Sequence, residues 1–391
     1  MVEKDKIANY FLRRKIFSSI MMFNGLWSRE NPSIFYRCIP YCAISVILIA
    51  FYAAINHIRI HITDLKLVMK SASVIFSGIA ALAKLMCYTF YRQDLDKVRY
   101  TLDSLVQEQL DGKLISIVLK PLLITQRFFK VHVVSSYMVG VVIIGIPLAV
   151  ALKQNLLSTG PINYPQFTPL DYGFEVARGS VMYFLSLTFE IYYLTAGICI
   201  TVGVDNFFLF YTCELVGQLC VLTHQAKNMK TSEMTYEKFV KIVKTHCQLI
   251  ECKDILEKVH SPIILVMFTM NAIVLCSLLF TMNQAERITV KHILSLLPHI
   301  CSKILQSAAY AWPGTLVIEH SKEFQDAIYG CGWNEFSDNK RIIPFIMLIV
   351  MQRTMSLTAC SLLLISVDLI TSLLNTTCSY FLLLQSMNEQ E

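Results

Sequence analysis

Four ionisable residues, Lys84, Glu190, Lys303 and Asp368, stand inside long apolar stretches of the sequence. A charge in such surroundings is costly against lipid, so it faces a bundle interior or a wet cavity. Two roles are open to Glu190: a hydrogen bond to a polar ligand, or an ion pair with Lys303. His299, in the same stretch as Lys303, is either a ligand contact or a satisfied buried imidazole. Asp368 opens a polar series with Thr371, Ser372, Asn375, Thr376 and Ser379. Their spacing of three and four residues puts them on one stripe of a helix. That stripe either walls a pore shared with other subunits or makes ordinary hydrogen bonds between helices. Enzyme chemistry finds no carrier. There is no HExxH, P-loop or GxSxG motif. Cys38 with Cys42 and Cys247 with Cys252 lack the spacing and the second pair of a zinc site. No cofactor and no metal are expected. Asn31-Pro32 precedes the first apolar stretch and reads as a helix start.

The elements that must hold these groups are long and apolar. Seven segments, 35–55, 71–91, 131–152, 179–211, 260–281, 292–318 and 343–384, each offer about 20 residues or more, enough for a hydrocarbon core of about 30 Å. The chain of 391 residues is 55% hydrophobic and only 16% charged, and its mean hydropathy is +0.53. Soluble domains average about 25% charged residues. This is an all-α, multi-pass membrane protein with little room for a soluble domain. The first 30 residues are charged and broken, so no cleavable signal peptide is expected. The thirteen cysteines form no framework, and free thiols are expected. Asn375 also opens a glycosylation sequon, but inside the last segment, where it would stay unmodified.

Lys and Arg alternate from loop to loop. The N-terminal arm and the second, fourth and sixth loops hold 23, against 7 in the other loops and the tail. Positive charge collects on the cytoplasmic side. The N-terminus is therefore expected inside and the C-terminus outside, opposite to a G-protein-coupled receptor. The net charge of +6 follows from this topology and signals no nucleic acid. In the second inner loop Leu95, Val98, Leu102 and Leu105 line one helical face. In the fourth, Phe239, Ile242, Val243, Leu249, Ile250, Ile255 and Leu256 do the same, with Thr231 or Ser232 as N-cap and Glu233 in the first turn. These loops are expected to be helical extensions into the cytosol. They pack on each other or build an anchor shared between subunits. The last apolar region is too long for one span. An inner helix, a break near Leu357-Thr358 and a final span to about Leu384 are expected, with Pro344 at a helix start or kink.

At this point short motifs accumulate. Ser379-Tyr380-Phe381-Leu382-Leu383-Leu384 resembles the closing motif of insect odorant receptors. Ala327-Ile328-Tyr329, Trp333, Arg353, Leu357 and Thr358 agree in order and spacing, and Gly25-Leu26-Trp27 resembles the family's opening. Gustatory receptors end instead in Thr-Tyr, five apolar residues and Gln-Phe. Here four apolar residues separate Tyr380 from Gln385-Ser386. The long second inner-loop insertion of the olfactory co-receptor is missing too. The chain is therefore similar to a ligand-tuning odorant receptor.

The resemblance implies an odorant-binding subunit of a ligand-gated, nonselective cation channel, assembled with the co-receptor as a heterotetramer. Its place would be the plasma membrane of olfactory neuron dendrites. The alternatives are a gustatory-type channel and a metabotropic or transporter-like protein. The inside N-terminus speaks against the metabotropic one. A transporter would show paired broken helices, and only one broken region is found. The resemblance also divides the single domain, 1–391. It implies a cytosolic anchor about 92–130, 215–260 and 320–356, and a pore helix about 357–386. It implies a pocket for a small volatile odorant in the outer halves of the second, third, fourth and sixth spans. There Phe76, Ile79, Met182, Tyr183, Ser186, Phe189, Tyr193, His299 and Ser302 are candidates, with Met182, Ser186, Phe189 and Tyr193 on one helical face. In the pore, anchoring on Ser379-Tyr380 gives Leu383 the position of a hydrophobic gate. Met387 falls near the mouth, Gln385 and Ser386 at the narrowing vestibule, and Asn375, Thr376 and Ser379 along the wall.

Overall fold

A computed structural model describes residues 2–29, 31–110, 114–157, 167–173, 180–228, 236–283, 290–331 and 343–388. The order of elements is α1 (Val2–Phe23), α2 (Ile34–Ile60), α3 (Leu65–Phe90), α4 (Arg92–Gln107), α5 (Ile115–Gly140), a π-helical turn (Val141–Gly145), α6 (Ile146–Leu157), α7 (Val181–Lys227), α8 (Tyr236–Asn283), α9 (Val290–Tyr329), α10 (Ile343–Met351), β1 (Thr358–Ala359), β2 (Leu363–Leu364) and α11 (Asp368–Asn388). Among the described residues, α2, α3, the α5–α6 helix, α7 and α8 are long and apolar enough to cross a bilayer. α9 packs along α7, α5 and α8, and α11 packs on α8 and α9. The chain is an all-α helical membrane bundle.

α7 has 47 residues and α8 has 48, which at 1.5 Å per residue makes each about 70 Å long. That is more than twice the hydrocarbon thickness of about 30 Å, so both project well beyond the bilayer. α4 lies against the projecting ends and buries Leu95, Val98, Leu102 and Leu105. On α8, Phe239, Ile242, Leu249 and Leu256 are buried, and Val243, Ile250 and Ile255 are partly buried. These apolar faces pack on each other within one chain. The N-cap pair Thr231 and Ser232 lies outside the described residues. Surface ion pairs, such as Lys258 with Asp94 and Lys227 with Glu323, both at 2.8 Å, cross the same layer. Exposed pairs of this kind add at most about 1 kcal/mol each, so the apolar contacts decide the packing.

α7 is the central post, and residues 202–216 are buried on every side. α1 docks against it through Tyr10, Phe17 and Met21. The buried Arg13 donates to the carbonyl of Leu122 and lies 4.9 Å from the centre of the Phe129 ring. The turn after α1 has a physical job. Gly25 sits at φ +67°, and a Cβ there would meet Tyr36 O at 2.9 Å. The turn points the Trp27 carbonyl at Tyr36 OH, 2.6 Å away.

The last two apolar segments divide as the local hydrogen bonds require. α9 runs unbroken from Val290 to Tyr329 through Pro298 and Pro313. The chain after α10 makes a small hairpin, and its turn holds Cys360 and Ser361 at φ +51° and +57°. Helix resumes only at Asp368, a favourable first-turn residue. The hairpin is tied to α8 by Glu257, which accepts from the Thr358 backbone N–H at 3.0 Å and from its hydroxyl. It is tied to α9 by Thr315 Oγ1, which accepts from Val367 N–H at 3.0 Å. Beside it, Gly314 lets α9 close on the hairpin, because a Cβ there would stand 2.3 Å from Ile365 O. Gly314→Ala should therefore destabilise the fold by about 1–3 kcal/mol, the usual cost of overpacking. Gly197→Ala, where a Cβ meets nothing within 4 Å, should be neutral or stabilising. Thermal unfolding of the detergent-solubilised proteins checks this, and equal melting temperatures for Gly314→Ala and wild type would contradict it.

Candidate functional site

A cavity of about 500 Å³ opens inside the bundle, within the usual range for small-molecule sites of about 300–1,000 Å³. Its walls come from α2, α3, α5, α6, α7, α8 and α9. One wall is the π-helical turn, which Pro147 helps explain. Proline has no N–H to return to the carbonyl one turn back, and the helix takes up the mismatch by widening. The N–H of Ile146 reaches back to Val141 O, the five-residue step of a π-turn. The widened turn presents Val142 and Ile143 to the cavity, and Gly140 lies beside them. Such turns recur at functional sites.

One face of α9 forms the polar side of the cavity. His299, Ser302, Lys303 and Gln306 stand at i, i+3, i+4 and i+7, one helical face, and all line it. Ser302 Oγ is 3.3 Å from Ser136 Oγ. Tyr193 brings an aromatic wall from α7, with its hydroxyl donating to Val74 O at 3.3 Å.

The segment 167–173 lies across the cavity as a strap, with Phe167, Thr168 and Pro169 in its lining. Glu190 holds it. Its Oε2 accepts from Phe167 N at 3.1 Å and from Thr168 N and Oγ1, both at 3.0 Å. Asp171 fastens the far end, donating its N–H to Ala53 O at 3.0 Å and accepting from Asn56 Nδ2 at 2.9 Å. The pairing of Glu190 with Lys303 open from the sequence does not occur: among the described residues no ion pair joins them, because the strap takes the carboxylate. Glu190 holds this part of the cavity lining in place.

Beneath the cavity lies a charge the sequence reading missed. Asp205 of α7 is fully buried and sits 2.5 Å from Lys84 Nζ of α3. Tyr310 OH donates to its Oδ1 at 2.6 Å, and Gln306 Nε2 donates to its Oδ2 at 3.0 Å. His132 Nε2 of α5 stands 4.0 Å away. Gln306 in turn accepts from Asn271 Nδ2 of α8 at 3.3 Å. Asp205 carried the same signal as Lys84, an ionisable residue amid apolar ones. Gln306 belongs both to this network and to the cavity lining.

Of the candidates for a ligand, Tyr193, His299 and Ser302 line the cavity. Phe76, Ile79, Met182, Ser186 and Phe189 are not in its lining. Phe189 instead packs edge-on against Tyr172 of the strap, with ring centres 6.0 Å apart. Met182 is half exposed, and Ser186 Oγ bonds back to Tyr183 O at 2.8 Å. Ile47 of the first span and Leu278 and Thr281 of the fifth also reach the cavity. The strap and these residues carry no periodic signal, so sequence reasoning could not place them.

On α11 the polar stripe Asp368, Thr371, Ser372, Asn375, Thr376 and Ser379 is exposed. Thr376 and Ser379 return their hydroxyls to backbone carbonyls of their own helix, Ser372 O at 2.8 Å and Asn375 O at 2.9 Å. Leu383 is 54% exposed and borders, with Thr376, a groove of about 520 Å³ between α8 and α11. Met387 lies in the last turns of α11. Among the described residues no group of three or more His, Cys, Asp or Glu side chains could hold a metal ion.

A family model described as a 7tm odorant receptor matches residues 64–378. The chain is 26% identical over 245 residues to Odorant receptor 10 of Aedes albopictus, covering 59% of this chain and 64% of that protein. It is 25% identical over 250 residues to Odorant receptor 13a of Drosophila melanogaster, covering 58% of each. The chain thus spans less than two thirds of the length of these curated relatives. The structure of the insect olfactory receptor OR5 from Machilis hrabei in complex with eugenol superposes with a TM-score of 0.79, covering 97% of this chain and 100% of that one at 15% identity. At that identity the likeness is one of fold.

The buried network yields a prediction of its own. Asp205→Asn leaves the Lys84 ammonium buried without a counter-charge. Removing one partner of such a pair costs about 3–5 kcal/mol, whereas removing both together is often close to neutral. Lys84→Met and Asp205→Asn should each sharply reduce folded protein at the cell surface, and the double variant should recover a substantial part. Surface biotinylation reads all three. A double variant no better than either single one would show that the pair is not the unit that matters.

Proposed function

The chain belongs to the 7tm odorant receptor family of multi-pass membrane receptors, which are not enzymes, and on that premise we propose that it is the odorant-binding subunit of a ligand-gated, nonselective cation channel formed with the olfactory co-receptor as a heterotetramer. The observation that carries the reading is the cavity within the bundle, mostly apolar, with a polar face on α9. Its size and lining suit a small volatile. The likeness in fold to a receptor solved with eugenol supports a ligand of that size. Within the cavity Tyr193, His299 and Ser302 contact the odorant, and Glu190 keeps the strap over it.

The 23 basic residues on alternate loops hold the N-terminus, α4 and the projecting ends of α7 and α8 in the cytosol of the plasma membrane. There they form the anchor, and the C-terminus of α11 lies outside. The exposed polar stripe of α11 supports a pore wall completed by neighbouring subunits. A polar face on a membrane helix is costly against lipid, and among the described residues nothing buries it. Asn375, Thr376 and Ser379 line this wall, with Met387 nearer the mouth.

Expression with and without the co-receptor tests the reading. An odour-evoked, reversible cation current that needs both chains is expected, with a tag at Met1 reachable only after permeabilisation. An agonist response without ionic conductance, or surface labelling at Met1, would overturn it. A second prediction concerns the gate. Leu383 continues the stripe one turn beyond Ser379, and a ring of leucines can close a channel by expelling water. Leu383→Ser should wet that ring and raise resting current several-fold in cells that also express the co-receptor. Unchanged leak and ion selectivity at normal surface expression would place Leu383 against protein or lipid.

A further inference from the structure

We propose that the preferred ligand of the cavity is a small organic acid, an apolar body bearing one carboxylate that pairs with Lys303. This rests on the odorant-receptor reading and names the ligand class for the same site.

Lys303 lines the cavity at 9% exposure, and its ammonium has no hydrogen-bond or ion-pair partner among the described residues. The neighbouring acids are already taken. Asp205 is held by Lys84 at 2.5 Å, Tyr310 at 2.6 Å and Gln306 at 3.0 Å. Glu190 gives one carboxylate oxygen to three donors of the strap. No Asp or Glu occurs among the described residues of the lining, while a second lysine, Lys70, stands exposed at its edge. The cavity therefore offers positive charge and nothing inside it to balance that charge. A buried ammonium without a partner is costly, and a carboxylate supplies a charge-assisted hydrogen bond of the strong kind.

The rest of the α9 face fits the same ligand. His299 precedes Lys303 by one helical turn, and Ser302 is its neighbour. Both line the cavity, and either can donate to a second carboxylate oxygen. Opposite them the π-turn residues Val142 and Ile143 give an apolar wall for the body of the molecule. A cationic ligand would meet Lys303 with no counter-charge, so amines are disfavoured.

The test is a matched series on cells expressing the full chain with the co-receptor at neutral pH: a medium-chain carboxylic acid, and the methyl ester and primary alcohol of the same chain length. Wild type should respond to the acid at least about tenfold more sensitively than to the other two, as expected for a hydrogen bond between charged groups. Lys303→Met should abolish that advantage, and Lys303→Arg should keep it. If Lys303→Met does not reach the surface, the wild-type ranking decides. Responses to ester or alcohol as sensitive as to the acid would overturn the acid preference and leave the receptor reading standing. An acid preference unchanged in Lys303→Met would overturn the role of Lys303. Silence towards every volatile, with both chains at the surface, would overturn the acid proposal and the receptor reading together.

Discussion

The ion pair between Lys84 and Asp205 is the constraint on which the bundle turns. Neither charge can reach water, since both side chains are fully buried. Each is therefore tolerable only while the other stays in place. Asp205 sits on the central α7, Lys84 comes from α3, and Tyr310 and Gln306 come from α9. His132 adds α5, and Asn271 adds α8 through Gln306. Apolar packing alone is non-directional and would let these helices slide or rotate. A buried carboxylate with this many directed partners fixes their register. A hydrogen-bonded pair this deep contributes little net stability, so its contribution lies in specifying one arrangement of helices around the space left above it.

That space and α11 are joined by a short mechanical path. α9 supplies the polar face of the cavity at His299, Ser302, Lys303 and Gln306. Two turns below Gln306 it meets the root of α11, where Gly314 lies against Ile365 and Thr315 accepts from Val367. The contact at Gly314 leaves no room for a side chain, so α9 cannot shift there without moving the hairpin. Glu257 ties the same hairpin to α8. A ligand can bias such a system only by binding its two arrangements unequally. The α9 face is a place where that difference can arise, because it touches the cavity, the buried charge network and the base of α11.

How much of this was legible depends on periodicity. Leu95, Val98, Leu102 and Leu105 showed a helical face in the sequence, and they are buried as one. The apolar stretches were plain from length alone. α1 was not, because its buried side includes Arg13 and its mean hydropathy is low; only tertiary contacts with Leu122 and Phe129 make sense of that arginine. The cavity was half legible. Tyr193, His299 and Ser302 stood out by type and position. Phe189 had the same credentials, yet it packs on Tyr172 of a strap that no pattern announces. Glu190 stands out in the sequence with a polar ligand or Lys303 as possible companions, and donors of the strap take its carboxylate instead. Sequence shows that a buried carboxylate needs donors, but not that backbone N–H groups of a distant loop will supply them.

α11 differs from the other long helices in the polar surface it leaves open. Around the buried charge, polar groups inside the apolar layer find partners on other helices of the same chain, as Asp205, Asn271 and Gln306 do. On α11, Thr376 and Ser379 turn back to their own helix and the rest of the stripe stays exposed. Among the described residues, neighbouring helices cover one side of it, where Leu369 and Leu373 are buried. The two sides thus differ in kind. One, against α8 and α9, buries Leu369, Leu373 and Thr377, and the other carries the exposed polar stripe together with Leu382 and Leu383. A helix built in this way is stable in a bilayer only if water or another chain meets its open side. The chemistry that completes the core around Asp205 is left incomplete along α11, where the exposed hydroxyls and Asn375 have water or a second chain as their only suitable neighbours in a bilayer.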